Sequence, residues 1–146
     1  MKMVKAILLA AVAIPAVSKA KTKLLPIVSF ASATPNLPER LAGLCTDRNA
    51  IIVEQDQSHV LCTRTIDGLD GAFAQVLVGN AYSTTPELKV RFSITRSETN
   101  IRVQAAQWVE TQMAFGQIRR MPLDSKKFIE NMVVRLESIG GTRMTE

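Results

Sequence analysis

Residues that commonly carry chemistry are scarce in this sequence of 146 residues. His59 is the single histidine, and Cys45 and Cys62 are the two cysteines. A zinc site usually takes about four ligands, mostly from histidine and cysteine. The one histidine and two cysteines of this chain are too few to supply them. No Cys-x-x-Cys pair is present to suggest thiol redox chemistry. We therefore expect no metal site and no cofactor.

Catalytic sequence motifs are also missing. The chain has no Gly-x-Ser-x-Gly elbow, no Walker loop and no Rossmann fingerprint. His59 lies at a predicted hairpin turn, close enough to Glu54 and Asp56 to pair with them, whereas Ser58 should point to the opposite face of its strand. A general base needs a nucleophile within hydrogen-bond reach, so we interpret His59 as a solvated turn residue. We expect that the protein is not an enzyme, and only a pair of converging carboxylates stays open as a catalytic site.

The amino-terminal segment has the composition of an export signal. Lys2 and Lys5 precede an apolar run from Ala6 to Val17, and Ser18 and Ala20 place small residues at positions −3 and −1 of a cleavage site. This layout is typical of a secretory signal peptide, and the run is shorter than the roughly 20 residues that span a bilayer. We predict cleavage after Ala20 and a periplasmic or secreted protein. An uncleaved anchor is the alternative, because the residues after position 23 are also apolar.

Long basic runs are absent as well. The formal net charge is +5, but the first 20 residues hold three lysines and no acidic residue, so the remainder carries only +2. The longest basic clusters outside the signal are the pairs Arg119-Arg120 and Lys126-Lys127. A surface that follows a phosphate backbone needs many cations on one face. We expect no nucleic-acid partner.

Hydrophobic periodicity predicts one domain over residues 38–146, preceded by an extended leader arm over residues 21–37. The predicted elements are, in order, a helix over 38–45, a hairpin over 51–65 that turns at 55–58, a helix over 68–79, a hairpin over 88–115 that turns at 98–99 and a helix over 125–139. Strands with one apolar face indicate an antiparallel sheet covered on one side. We expect an α+β two-layer sandwich, with an antiparallel four-stranded sheet of two hairpins and helices on one face, in the order α-β-β-α-β-β-α. The leader arm either adds an edge strand or is mobile.

The second hairpin has the clearest pattern. Apolar and polar residues alternate from Leu88 to Thr95, and apolar residues fill most odd positions from Ile101 to Phe115. A two-residue turn at Glu98-Thr99 places Ile94 opposite Val103 on the apolar face. The same register places Lys89 opposite Trp108 and Arg91 opposite Ala106 on the polar face.

The two cysteines are predicted to face the same core. Cys45 lies on the apolar face of the first helix, and a turn at Asp56-Gln57 would place Ile51 opposite Cys62 and Val53 opposite Val60. Two cysteines in an exported domain usually form a disulfide, and closing a loop of this length contributes about 3 kcal/mol. We predict a disulfide between Cys45 and Cys62. A free buried pair and a redox-active pair are the alternatives.

Trp108 is the candidate centre of a binding surface. It is the only tryptophan, and the register places it on the polar face among long cations and amides. The candidate binding residues are Trp108, Lys89, Arg91, Arg102, Gln104 and Glu110. A rigid aromatic side chain in such surroundings is typical of a protein–protein hot spot. Two other interpretations stay open: a cation–π cover by Lys89 and Arg91, or burial under the leader arm.

These observations favour a small exported, non-catalytic binding or accessory protein of the bacterial envelope. Its partner would be a protein or another envelope component, bound at the face around Trp108. The alternative is an inhibitor or immunity-type protein that acts on an enzyme of the same compartment. Arg119 and Arg120 either extend a cationic rim toward an anionic partner or lipid headgroups, which would be a peripheral membrane contact, or are solvated arginines near the end of a strand.

Overall fold

A seven-stranded antiparallel sheet organises the molecule; the computed structural model describes residues 26–68 and 83–144. The strands are β1 (Ile27–Ala31), β2 (Ile51–Gln55), β3 (His59–Thr65), β4 (Glu87–Arg96), β5 (Asn100–Gln112), β6 (Ile118–Pro122) and β7 (Thr142–Arg143). The helices in the described part are α1 (Leu37–Thr46) and α2 (Lys126–Ser138). The strand order is β2-β3-β4-β5-β1-β7, and β6 also pairs with β5.

The long strand β5 has three partners. Strand β4 pairs with β5 from Ile101 to Glu110 along one edge. The other edge is shared, because β1 pairs with residues 100–104 and β6 pairs with residues 108–112. The carboxyl-terminal half of β5 is thus held between β4 and β6, and this half carries Trp108.

The core lies on one face of this sheet. Buried side chains come from the strands and from both described helices: Val28, Phe30, Val60, Cys62, Phe92, Ile94, Ile101, Val103, Ala105, Leu37, Leu41, Ala42, Cys45, Met132, Val133 and Leu136. On the same face but beyond this cluster, Val109 packs against Leu88 and Met121. Because β-strand side chains alternate between faces, the intervening residues of β4, β5 and β6 project to the opposite side. We call that side the open face.

The predicted four-stranded sheet in the order α-β-β-α-β-β-α is wrong. The observed sheet has three further strands, β1, β6 and β7, and the described residues contain two helices. The additional strands are short, and strand β1 is held by backbone pairing to β5 and β7, which are distant in sequence. Short segments of this kind carry too few residues for a clear alternation. The predicted signal peptide (1–20), the start of the leader arm (21–25) and, apart from Gly68, the predicted helix over 68–79 lie outside the described residues.

Strand β1 shows what structure the described part of the leader arm adopts. Residues 27–31 pair with β5 on one side and with β7 on the other. Val28 and Phe30 are buried in the core, so the burial of alternate side chains stabilises this strand as well as its hydrogen bonds. This part of the arm thus forms a strand, but not the edge strand of the prediction, because β7 pairs with its outer side.

The register predicted for the second hairpin is confirmed. Ile94 pairs with Val103, Lys89 pairs with Trp108 and Arg91 pairs with Ala106. The predicted length of the second strand is wrong, because β5 ends at Gln112. The chain turns back there, with Gly116 at a φ of 77°, a conformation that glycine adopts without steric cost.

The register predicted for the first hairpin is wrong. Cys62 pairs with Ile52, and Val60 pairs with Gln55, because residues 56–59 form a connection two residues longer than expected and the register shifts back by one residue at Val53. Asp56 stabilises the longer loop, since its Oδ1 accepts hydrogen bonds from the backbone N–H groups of Ser58 and His59 at 2.6 and 2.9 Å. An aspartate side chain commonly closes a turn in this way.

The first and last predicted helices are confirmed within a residue or two at their ends. Helix α1 has a proline in its first turn, where a missing N–H costs no hydrogen bond. Helix α2 begins after Ser125 rather than after Asp124. It ends before Gly140, which has a φ of 97° and occupies the position where glycine is enriched after helices.

The predicted disulfide is present. Cys45 of α1 and Cys62 of β3 are joined, with their Cα atoms 6.2 Å apart, which is within the usual range for a disulfide. This bond fits an extracellular or periplasmic location. Neither helix in the described part has the length and apolar character of a transmembrane span.

Candidate binding face around Trp108

The open face near Trp108 is built from three neighbouring strands. Lys89 of β4 lies directly opposite Trp108, and Arg120 of β6 lies directly opposite Glu110. Trp108 and Glu110 share this face because they are two residues apart on β5. The pairing of the strands therefore places two cations, a carboxylate and an indole ring next to one another.

The Glu110 carboxylate is the centre of this group. Its Oε1 accepts a hydrogen bond from Nζ of Lys89 at 2.7 Å. Its Oε2 accepts two more, from Nε of Arg120 at 2.7 Å and from Nε1 of Trp108 at 3.0 Å. The side chain of Glu110 is only 11% exposed. A nearly buried carboxylate is costly without partners, and here both of its oxygens are paired.

These contacts change the acidity of Glu110. Burial by itself raises the pKa of the Glu110 carboxyl, but the hydrogen bonds from Lys89, Trp108 and Arg120 favour the ionised form and lower the pKa to about 2. Glu110 is consequently ionised at every pH at which the protein is expected to work. A carboxylate that is always ionised and fully paired acts as a fixed support for its neighbours and is a poor proton donor.

Trp108 is half-buried and held in one orientation. Its indole N–H is engaged by Glu110, and the guanidinium of Arg120 lies 5.8 Å from the centre of the ring. A cation at this distance is attracted to the aromatic ring. The interpretation with Lys89 and Arg91 as the cation–π cover named other residues: the observed contact is with Arg120, and Lys89 binds Glu110. The part of the leader arm that the structure describes begins at Pro26. It forms β1, which lies in the plane of the sheet beside residues 100–104 of β5.

The six candidate residues fall into two groups. Trp108, Lys89 and Glu110 are in direct contact. Arg91, Gln104 and Arg102 are exposed on the same face and lie, in that order, at increasing distance from Trp108. Arg102 lies six residues from Trp108 on β5, which is about 20 Å at the rise of a β-strand. Within the described residues, neither Arg91 nor Arg102 forms an ion pair, so their guanidinium groups face solvent.

Sequence reasoning missed the role of Arg120. We placed it in a connecting segment near the end of a strand, whereas β6 brings it onto Glu110 and over Trp108. One signal was available: five residues that contain Gly116 separate two segments with apolar residues, which is a pattern of a hairpin with a longer loop. Met121 supports the same pairing, because it lies opposite Val109 on the core side of the sheet.

A polar cleft lies beside the Lys89–Glu110 pair. Its described lining is formed by Thr65, Thr84, Thr85, Glu87, Lys89, Glu110, Thr111, Gln112 and Ile118. Thr84 is fixed to β5, since its backbone N–H donates to the carbonyl of Gln112 and its hydroxyl accepts from the N–H of Gln112. The cleft therefore offers hydroxyl, amide and charged groups on a rigid frame, next to Trp108.

The surroundings of His59 differ from the prediction in one respect. Its predicted pairing is confirmed: Nε2 lies 2.8 Å from Oε2 of Glu54, and Nδ1 lies 3.1 Å from Oδ2 of Asp56. The prediction that Ser58 points away is wrong, because its Oγ lies 3.1 Å from Nδ1 of His59. The longer loop turns Ser58 toward the ring.

The Ser58 hydroxyl also donates a hydrogen bond to Asp56 at 2.7 Å. This hydrogen bond is the largest of the causes that lower the pKa of Asp56 to about 2. These contacts close the β2–β3 turn.

The described residues contain no group of three or more His, Cys, Asp or Glu side chains that could hold a metal ion. No protein-family model matches this chain, and neither the curated proteins nor the solved structures provide a match.

Proposed function

We propose that this chain is a small exported protein of the bacterial envelope, without catalytic activity, that binds a protein or another envelope component through the open face around Trp108. The observation that carries the proposal is the fixed Trp108–Glu110–Lys89–Arg120 cluster, because it presents a rigid aromatic ring on the side of the sheet opposite the core. Binding hot spots are rich in tryptophan and arginine. A ring that is already held in place loses little conformational entropy when a partner packs on it.

The charges around the cluster support a partner that carries acidic or hydrogen-bonding groups. Lys89 and Arg120 share the single carboxylate of Glu110, so these three side chains together keep one positive charge. Arg91 and Arg102 are exposed and, in the part of the chain that the structure describes, have no acidic partner. A guanidinium group can bind a carboxylate through two parallel hydrogen bonds. We propose that Arg91, the nearer of the two, contacts the partner beside Trp108.

The test is affinity capture from an envelope fraction with the full chain as bait. Two substitutions reverse the same charge: Arg91→Glu on the open face and Lys127→Glu on the exposed surface of α2. We expect Arg91→Glu to weaken capture of a specific partner about tenfold or more, and Lys127→Glu to leave it unchanged. Trp108→Ala should also weaken capture, with its fold checked by circular dichroism because the indole supports Glu110.

Two results would contradict the proposal. One is equal capture by the native chain, the folded Trp108→Ala variant and Arg91→Glu. The other is equal loss with Arg91→Glu and Lys127→Glu, which would indicate attraction by net charge alone. A partner that is an enzyme, and that loses activity in the complex, would favour the inhibitor function over an accessory function.

A further inference from the structure

The turn that joins β5 to β6 exposes an aromatic side chain to solvent. We call the five residues of this turn, Met113–Gln117, the β5–β6 tip. Phe115 is the middle residue of the tip and is 94% exposed. Ile118, the first residue of β6, is 59% exposed. A nearly fully exposed phenylalanine beside a second exposed aliphatic residue is a feature that often marks an interaction site.

The tip has a defined backbone conformation. The N–H of Met113 donates to the carbonyl of Gln117 at 2.7 Å, and the N–H of Gly116 donates to the carbonyl of Met113 at 2.9 Å. Gly116 has a φ of 77°, which a residue with a side chain rarely adopts. The turn therefore holds Phe115 in a defined position at the end of the hairpin, where a planar surface such as a bilayer can reach it.

The charged residues that flank the tip in the sequence have one sign. Between Glu110 and Asp124 the sequence has no acidic residue, while Arg119 and Arg120 lie two and three residues after the tip. Glu110 itself is nearly buried and is paired with Lys89 and Arg120. Basic residues near a bilayer that contains anionic lipids each add about 1 kcal/mol of attraction. The tip thus combines an exposed apolar side chain, Phe115, with the basic residues Arg119 and Arg120 beside it.

The amino end of β1 faces the same end of the molecule. Strand β1 runs antiparallel to β5, and the carbonyl of Pro26 accepts a hydrogen bond from the N–H of Ala105. The chain therefore enters the described domain from the side on which the β5–β6 tip lies. The 25 residues that precede Pro26 include the apolar run from Ala6 to Val17.

We propose that the β5–β6 tip inserts into the surface of a bilayer with anionic phospholipids, with Phe115 in the interfacial region and the arginines at the headgroups. This inference does not depend on the binding function of the open face. It applies whether or not the first 20 residues are removed, because the tip belongs to the folded domain. Interfacial binding of this type combines buried apolar area with electrostatic attraction.

The test reads the environment of the tip itself, so that binding through the amino-terminal segment of the full chain does not mask it. Both native cysteines are joined in a disulfide, so one introduced cysteine is the only free thiol. An environment-sensitive fluorophore is attached at Ala114→Cys, which keeps Phe115, or at Glu98→Cys in the β4–β5 turn. Glu98 is an exposed residue at the other end of β5 and serves as the matched control. Each labelled chain is mixed with phosphatidylcholine vesicles with or without phosphatidylglycerol.

We expect a blue-shifted, brighter emission at position 114 with the anionic vesicles, a weaker response with pure phosphatidylcholine, and no change at position 98. Adding Phe115→Ser to the Ala114→Cys chain should weaken this response about tenfold, which corresponds to about 1.4 kcal/mol of lost transfer free energy. Since Phe115 is exposed in the folded chain, the circular dichroism of this variant should match that of its parent.

Several results would overturn the inference. These are an unchanged emission at position 114, an equal change at both positions, an equal response to neutral and anionic vesicles, or a response that Phe115→Ser does not reduce. A change at position 114 that occurs without vesicles, or with lipid-free envelope proteins only, would place Phe115 in a protein contact instead.

Discussion

Replacing Glu110 by glutamine should remove the charge that holds the open face together. The substitution keeps the shape of the side chain but replaces one carboxylate oxygen by an amide that donates hydrogen bonds. Lys89, Trp108 and Arg120 all donate to Glu110 in the native protein. An amide cannot accept from all three in the same geometry, so at least one donor loses its partner.

The size of the effect follows from the lowered pKa. The pKa of the Glu110 carboxyl falls from 4.5 to about 2, which corresponds to about 3 kcal/mol in favour of the ionised form in the folded state. Lys89 is mostly buried and should contribute most of the ion-pair term, whereas Arg120 is 62% exposed and its pair is screened by solvent. We therefore expect Glu110→Gln to lower the free energy of unfolding by about 2 kcal/mol at pH 7.

The pH dependence has a definite sign. A carboxyl whose pKa is lowered in the folded state stabilises the protein above its unfolded pKa, and this contribution is lost as the pH falls through the folded pKa. For Glu110 the window runs from about 4.5 down to about 2. The stability difference between the native chain and Glu110→Gln should therefore be largest at neutral pH and should shrink across this window.

The measurement is urea unfolding at a series of pH values, followed by circular dichroism and by the fluorescence of the single tryptophan. Glu87→Gln is the control. Its carboxylate lies 3.7 Å from Lys89 but is 45% exposed, so its loss should change the free energy of unfolding by less than about 0.5 kcal/mol. A Glu110→Gln penalty that stays constant from pH 7 to the acid limit would refute the charge argument. An equal loss of unfolding free energy in Glu110→Gln and Glu87→Gln would refute the argument that Glu110 is the main carboxylate of the cluster.

Two further predictions concern the frame of the domain. Replacing Cys45 and Cys62 together by alanine should lower the free energy of unfolding by about 3 kcal/mol, measured by urea unfolding, and a reductant that destabilises the native chain should then have no effect on the variant. Gly141→Ala should destabilise by about 1 to 3 kcal/mol, because the new Cβ would contact Val28 and lie 2.8 Å from the carbonyl oxygen of Leu136. Gly43→Ala within α1 has free space around it and should be neutral or stabilising; if thermal unfolding shows the same change for both glycine variants, the packing argument at Gly141 is wrong.

Strict alternation made the central hairpin predictable. From Leu88 to Thr95 and from Ile101 to Ala105, apolar residues alternate with polar ones, and a slip by one residue would expose the whole apolar set. The short turn leaves few alternative registers. The opposition of Lys89 and Trp108, which defines the candidate site, therefore followed from the sequence.

Alternation did not predict the register of the first hairpin, because local interactions change the number of residues in its loop. In the first hairpin, Asp56 binds the backbone of the turn and lengthens the loop, and the register shifts at Val53. As a result Ile52, not Ile51, lies opposite Cys62, and Ser58 turns toward His59. A sequence pattern does not show whether an aspartate in a turn will accept hydrogen bonds from the backbone.

The sequence by itself determined the face on which Trp108 and Glu110 lie, the disulfide partners and the positions of both described helices. These features depend on the spacing of apolar side chains and on the small number of cysteines. Only the tertiary structure decided what surrounds Trp108. Strands β1 and β6 divide one edge of β5 between them. Strand β1 is distant from β5 in the chain, whereas β6 follows β5 after a five-residue turn. Arg120 reaches Glu110 and Trp108 because backbone pairing with β5 and the packing of Met121 against Val109 hold β6 in place, and the five residues of β6 carry too little alternation to predict that pairing.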